Sequence, residues 1–404
     1  MNRRALRTAA PALALMAALA SGGAVAGGAA ALAQRLTIVD THIDAPSRLQ
    51  QRWADLGLPA PDREFDHPRA RAGGLDVAFM SIYTSAAQDM SAQARQSAHA
   101  QIDAVEALVA RHPDRFALLH SPQRVQAQLG QGRVLLAMGM ENAAPLEGDP
   151  DAIAGFFARG VRALILAHGA NNAFADSSYE AAPRWNGLSP AGARAIAEMN
   201  RLGMMIDVSH LSDDATRQAI AQSRAPVIAG HSAFRALTPG FARNLDDDLA
   251  RAIAAQGGVV QIPFGTGFIE PRAAADLAAL YRARNAFNAR AAELAAAGAP
   301  PEDRAAFEAR WRAEHPRVTG TLDALLDQID HGVRLLGAAH VGIGSDFDGV
   351  GGYLPAALSD VSTYPVVIAG LQQRGYGEQE IAGIMGGNLL RVWAEVEAVA
   401  EMQP

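Results

Sequence analysis

From Leu36 onward the apolar positions fall into two alternating patterns. Short runs at Leu36–Val39, Asp76–Tyr83, Arg133–Met140, Val161–Ala167, Met204–Val208, Pro226–Ala229, Gly258–Ile262 and His340–Ile343 are mostly hydrophobic on both faces. That is the signature of parallel strands covered on both sides. Between them lie stretches with helical period or helix caps. Ser91 is placed to cap a helix over Ser91–Arg111, and Ser189-Pro190 opens one over Ala191–Leu202. Ser212 precedes Asp213–Ser223, and Asp246–Ala255 carries acids in its first turn. Eight strands alternating with helices predict an α/β fold of the (β/α)8 TIM-barrel type, with a doubly wound open sheet as the competing arrangement.

The seventh and eighth strands are separated by roughly 75 residues, too many for a bare loop. Arg272–Ala297 and Pro301–His315 are rich in Ala, Arg and Glu, with Gly298-Ala299-Pro300-Pro301 between them. They predict a helical insertion between strands 7 and 8, laid over one barrel end and followed by a regular helix over Thr321–Leu336. The start of the chain reads differently. Arg3, Arg4 and Arg7 precede an apolar run from Ala9 to Ala20, and Ala31-Leu32-Ala33 offers a small-x-small cleavage site. Residues 1–33 are expected to be a signal peptide and 34–404 a single barrel domain. The run is short and Gly-broken for a membrane span, so no stable anchor is expected and the mature protein is placed outside the cytoplasm, periplasmic or secreted. Arg3-Arg4 leaves twin-arginine export open.

Composition narrows the chemistry. The formal charge is −7, and losing the three leader Arg with no acid makes it −10; no basic cluster remains to follow a phosphate backbone, which argues against nucleic acid. There is no Cys, excluding disulfides, thiolate metal sites and a Cys nucleophile. There is also no Lys, since all 35 residues in the Lys+Arg count are Arg. That removes Schiff-base chemistry and any lysine-derived metal bridge.

Barrel enzymes place their chemistry at the carboxyl ends of the strands. Read in order, those ends supply His42 and Asp44, Glu141, His168, Ser209-His210, His231-Ser232, and Asp346 with Asp348. Four of only eleven His fall at these positions. Singly, each has a plain structural reading: a hydrogen-bonded His, a helix-capping Glu141, an Asp348 that shapes a Gly turn, a surface pair at Arg243-Asn244. Together they suit metal ions, because imidazole nitrogen and carboxylate oxygen both ligate zinc and similar divalent cations. Alternation along a strand would turn His42 and Asp44 to one side, with Asp40 behind them as an orienting group. Three His and two carboxylates exceed one catalytic zinc and fit two metals sharing a carboxylate. His42 and Asp44 would complete one site, His210 and His231 the other, and Glu141 is the natural bridge.

These residues resemble the membrane (renal-type) dipeptidase family of metal-dependent amidohydrolase barrels. The resemblance spans nearly all of 36–400 and rests on Asp40-Thr41-His42-Ile43-Asp44, Gly139-Met140-Glu141-Asn142, Phe174-Ala175-Asp176-Ser177-Ser178, Ile206-Asp207-Val208-Ser209-His210, His231-Ser232, Arg243-Asn244 and Gly344-Ser345-Asp346-Phe347-Asp348-Gly349. It implies a barrel with two Zn2+ that hydrolyses dipeptides, including those with a C-terminal D-residue. It implies that His168 stabilises the oxyanion, Arg243 grips the substrate carboxylate, and Asp346 is the acid/base. His168 and Asp346 would also touch substrate. The chain lacks the disulfides and C-terminal lipid signal of the animal members. Pro263-Phe264-Gly265 stands where some relatives place a Tyr. A homodimer is compatible with the chain. The alternatives are a related metal-dependent amidohydrolase for N-acyl amino acids or lactones, and a non-catalytic exported binding protein.

Overall fold

A computed structural model describes residues 27–402 except 90–91, 130–131, 299 and 301–302. Residues 1–26 of the expected leader, Ser91 as a cap and Pro301 as a helix start lie outside the described residues. Residues 27–33 are helical, and Ala29, Leu32 and Ala33 are buried in the main core. Among the described residues no helix is long and apolar enough to cross a membrane.

Nine strands form one parallel sheet: β1 (Ile38–Ile43), β2 (Leu75–Tyr83), β3 (Phe116–Leu118), β4 (Val134–Glu141), β5 (Val161–Ile165), β6 (Met205–Asp207), β7 (Ile228–Ala229), β8 (Val259–Ile262) and β9 (Val341–Ile343). Eight run in the order β1-β2-β4-β5-β6-β7-β8-β9. The ends then meet: Ile43 pairs with Phe347, Asp44 N–H donates to the Phe347 carbonyl at 2.8 Å, and Asp346 N–H donates to the His42 carbonyl at 3.0 Å. The sheet is a closed α/β barrel, not an open one. The unpredicted β3 borrows the lower edge of β4, pairing Phe116 with Val134, while β5 takes the upper edge from Met138 onward. Three residues are too few to leave a periodic signal.

Alternation on the strands separates two apolar regions. Ile38, Ala78, Met80, Leu136, Met138, Leu164 and Ile206 face the surrounding helices in the main cluster. Val39, Val77, Phe79, Leu135, Ala137, Ala163, Met205 and Val259 face inward, joined by Leu389, Val392, Trp393 and Val396 of helix Asn388–Glu401. The Trp393 ring meets Phe79 edge-on at 5.2 Å. That helix stoppers one end of the barrel, so the strand carboxyl ends at the other end form the opening.

The predicted helices are present with shifts of one to three residues. Pro190–Leu202 is capped by the Ser189 side chain, Asp213–Gln222 by Ser212, Asp247–Ala255 by Asp246 and Leu322–Leu336 by Thr321. The insertion folds as Pro271–Ala296 and Arg304–Glu314.

Two glycines test this architecture. A Cβ at Gly344 would overlap the Gly230 carbonyl and the Thr41 hydroxyl inside the barrel, neither free to move. Gly344→Ala should cost about 1–3 kcal/mol, read as a lower urea midpoint. Gly155, in helix Ile153–Ala158, has nothing within 4 Å of such a Cβ; Gly155→Ala should gain about 0.5–1 kcal/mol.

Candidate metal centre and active site

Strand β1 changes phase once, at an irregularity, before it delivers its ligands. Asp40 pairs with Ala78 and Ile43 with Met80, so two residues of β1 oppose one of β2. With Val39 and Thr41 inward, strict alternation would send His42 outward. The bulge instead brings Thr41 and His42 together on the lumen side. Asp44 lies just beyond the strand, at the start of helix Ala45–Gln51. The two side chains share one space, with His42 Nε2 3.4 Å from Asp44 Oδ2, and Ile43 between them points the other way, into the main cluster.

Glu141, the last residue of β4, stands among four imidazoles. Its Oε1 lies 2.9 Å from His210 Nε2, 3.3 Å from His231 Nε2 and 3.7 Å from His168 Nε2; its Oε2 lies 3.4 Å from His42 Nε2. Ser81 Oγ donates to Oε2 at 3.3 Å. Three overlapping groups put their ligand atoms within 4.8 Å of one another: His42, Glu141 and His231; Glu141, His168 and His210; His42, Asp44 and Asp346. The four strand-end His and Asp44, Glu141 and Asp346 therefore converge, in one continuous cluster. His168 and Asp346 contribute ligand-grade atoms alongside the five expected ligands.

The turns that hold them are strained. His210 and Asp346 have φ of 67° and 64°, as do Asn142 at 80° and Asp348 at 64°. This left-handed region costs a non-Gly residue energy and is met most often with Asn, Asp and His. Hydrogen bonds from behind fix the turns. Asp207 Oδ1 accepts from Ser209 N–H and Gly230 N–H, each at 2.9 Å, and Ser209 Oγ accepts from His231 N–H at 3.1 Å. Asp40 accepts from His42 N–H and Ser345 N–H at 3.1 and 2.9 Å, and from the Tyr364 hydroxyl at 2.6 Å. Asp176 gathers the loop after His168 by accepting from the N–H groups of Arg184, Trp185 and Gly187.

The charges are mutually conditioned. Burial raises Glu141, but His42 and His168 outweigh it and hold its carboxyl well below the usual range. Burial lowers His42, yet Glu141 and Asp44 leave it well above the usual imidazole value. His210 and His231 are pushed well down, first by burial and then by neighbouring cations including Arg243; both are neutral, the form that binds metal. Burial, then Asp44, pushes Asp346 well up.

The donors fit divalent cations. His210 Nε2 and His231 Nε2 face each other at 2.8 Å with Glu141 Oε1 beside both, three lone pairs aimed at one small region. His42 Nε2 is buried among carboxylates without a hydrogen bond. An all-N/O set without thiolate suits zinc and its first-row neighbours.

Above the cluster opens a cavity of about 380 Å³. Its floor is Asp44, Glu141, His168, His210, His231 and Asp346. Tyr83 and Tyr179 stand at the floor edge, with ring centroids 4.9 Å from His168 and 5.6 Å from His210 respectively, aromatic groups in a chain lacking the Tyr sought after strand seven. Leu277, Tyr281, Arg284, Arg312 and Arg317 come from the insertion. Sequence reasoning missed them, although Leu277, Tyr281 and Arg284 form an i, i+4, i+7 stripe on one helix face. Arg243 and Asn244 are 3 % and 1 % exposed, so a surface pair is excluded. Arg243 Nη1 donates to Ser232 Oγ at 2.8 Å and Nη2 to the His231 carbonyl at 2.7 Å, with His210 Nε2 at 3.1 Å. It lines a smaller pocket beside the main cavity, and Tyr179 and Tyr281 line both.

Comparison with known proteins fits this geometry. The family model described as Membrane dipeptidase (Peptidase family M19) matches residues 27–404. This chain belongs to the membrane dipeptidase family. It is 33% identical to Dipeptidase aclJ of Aspergillus oryzae over 83% of this chain and 71% of that protein. It is 29% identical to human Dipeptidase 3 over 93% of this chain and 68% of that one. Its fold superimposes on the crystal structure of the probable dipeptidase PvdM from Pseudomonas aeruginosa with a TM-score of 0.79, at 29% identity, covering 93% and 99% of the two chains. The protein is thus a metallo-dipeptidase-class hydrolase.

Beside the floor of this dipeptidase, Glu64 Oε2 accepts from Asp348 N–H and Asp348 Oδ1 from Glu64 N–H. Burial, reinforced by the Asp348 charge, raises Glu64 from 4.5 to about 7. The folded state therefore holds this proton more tightly than the unfolded chain. Its contribution is full below pH ~4.5 and fades as the pH rises to about 7. Glu64→Gln should flatten the stability-versus-pH curve over that window by on the order of 2 kcal/mol, measured by urea denaturation at pH 5 and pH 8.

Proposed function

We propose that this dipeptidase is a dinuclear zinc enzyme that hydrolyses the single peptide bond of dipeptides, including those ending in a D-residue. The observation that carries the reading is the cluster in which Glu141 and His42 belong to overlapping donor groups, more ligands than one ion uses. His42 and Asp44 would hold one ion and His210 and His231 the other, with Glu141 shared. Bound there, a pair of divalent cations supplies a water acidified to react near neutral pH and an electrophile for the scissile carbonyl.

The remaining steps belong to the chain. Asp346, held by its backbone N–H against the His42 carbonyl, would take the proton of the attacking water and pass it to the leaving amine, a role that requires bound cations to offset the burial and Asp44 charge that favour its protonated form. His168, its pKa lowered by burial, is neutral and donates a hydrogen bond to the developing oxyanion. Arg243 receives the substrate's free carboxylate; its Nε is buried without a partner, and a guanidinium matches a carboxylate in shape. A cavity of about 380 Å³ lies at the small end of the range for ligand sites, in keeping with a substrate of two residues. We also read Arg3, Arg4, Arg7 and the apolar run after them as an export leader, with the working enzyme periplasmic or secreted. The burial of Ala29, Leu32 and Ala33 favours a junction upstream of them.

Metal analysis of the purified protein should find two zinc ions per chain, and L,L and L,D dipeptides should be cleaved faster than N-acetyl amino acids. Asp346→Asn should keep both ions yet lose about 10²–10⁴ in kcat; near-normal turnover would remove Asp346 from the mechanism. Glu141→Gln should lose metal as well as rate, and two full equivalents in that variant would rule out the shared carboxylate.

A further inference from the structure

The cavity is segregated by charge. Its carboxylates Asp44, Glu141 and Asp346 lie at the metal-binding floor with Asp348 beside them, and its lining also holds four arginines, Arg48, Arg284, Arg312 and Arg317. Three of these come from the single stretch between β8 and β9. Arg284 lies on helix Pro271–Ala296, Arg312 on helix Arg304–Glu314, and Arg317 just after it. In the dipeptidase reading Asp44 and Glu141 are committed to cations and Asp346 to proton transfer, while Asp348 is bonded to Glu64 and faces Arg48, which leaves Arg284, Arg312 and Arg317 without them.

Local compensation is thin. Glu308 accepts from Arg284 Nε at 3.0 Å, but it also serves Arg304 at 3.1 Å. Arg317 lies over the Tyr353 ring at 4.7 Å and donates to the Gly351 carbonyl at 3.4 Å, which positions it without neutralising it. Arg312 is half-buried and, among the described residues, has no carboxylate within ion-pair distance. Burial and the nearby charges of Arg317 and Arg284 disfavour its protonated form. A half-buried cation beside two others, opening onto a substrate cavity, is stabilised by an arriving anion. Guanidinium groups match carboxylates in shape as well as charge.

We propose that Arg312, flanked by Arg284 and Arg317, is a receptor for an acidic side chain, so that this enzyme prefers dipeptides carrying Glu or Asp over their neutral amide counterparts. The proposal rests on the dipeptidase reading and names its substrate class. The insertion then selects the substrate while the strand ends cleave it.

The test compares Ala-Glu with Ala-Gln, and Glu-Ala with Gln-Ala, on the zinc-loaded full chain. Each pair shares its backbone and α-carboxylate, so the ratio of kcat/KM isolates the side-chain charge. The acidic member of at least one pair should be favoured roughly 10- to 100-fold, the span of a charge-assisted hydrogen bond. The preference should lie mainly in KM and shrink with added salt. Arg312→Gln should bring the ratio towards one, and Arg310→Gln, an exposed position outside the cavity, should leave the ratio as it is. Equal cleavage of both members of both pairs would overturn this proposal alone. So would an Arg312→Gln variant that weakens Glu and Gln substrates alike, since Arg312 would then grip the shared α-carboxylate. Failure to cleave any of the four would overturn the dipeptidase reading with it.

Discussion

The Asp40 carboxylate is buried where the first and last strands of the barrel meet, and it accepts from three separate parts of the chain. Its donors are His42 N–H within β1, Ser345 N–H in the turn after β9, and the hydroxyl of Tyr364 at the start of helix Tyr364–Gln373. Burial alone pushes its pKa up, and those donors push back. A buried carboxylate left without such partners would be costly, so the seam is stable only in the register that brings all three together. Thr41 repeats the device on the inner face, donating to the Gly230 carbonyl at 2.6 Å and the Ile343 carbonyl at 3.1 Å. This closure sets His42 and Asp44 against Asp346, some three hundred residues later in the chain.

Around that seam the molecule assembles a centre that is unfavourable by itself. Carboxylates converge with four imidazoles, and two of the imidazole nitrogens approach to 2.8 Å. Several of the residues stand on left-handed turns. Strain and like-charge repulsion of this kind persist only where the rest of the fold over-determines them. Here the scaffold is a sheet closed on itself, stoppered below by Trp393 and pinned from behind by Asp40, Asp207 and Ser209. Divalent cations held there would relieve the repulsion, which would link metal affinity to fold stability at this site.

Selection and reaction are built from different parts of the chain. The floor is made of strand ends, whose positions are fixed by the closed sheet. The mouth is made largely by the helices between β8 and β9, which contribute Leu277, Tyr281, Arg284, Arg312 and Arg317. Tyr281 stacks on Tyr179 at 4.0 Å and Tyr179 stands beside His210, so the two layers touch. Changes in the insertion can therefore alter what enters while leaving the ligands in place.

The barrel was legible because strands buried on both faces read as unbroken apolar runs, and the seven site residues because each follows such a run. Absence of Lys and Cys left carboxylate and imidazole as the available metal ligands. Three things were not legible. Strand β3 is too short to leave a period. The route by which His42 reaches the lumen depends on a bulge set by pairing with β2, which is not written in β1 alone. Arg243, singled out only by the family resemblance, otherwise reads as an ordinary polar pair with Asn244 until the fold buries it against His210 and His231. Periodicity and residue type are local properties, and they suffice for the repeating strands and for the chemical groups at their ends. The barrel's closure, the phase reset that turns His42 inward and the arginine-lined mouth each depend on hydrogen bonds and contacts between residues far apart in the chain, so they emerge only on folding.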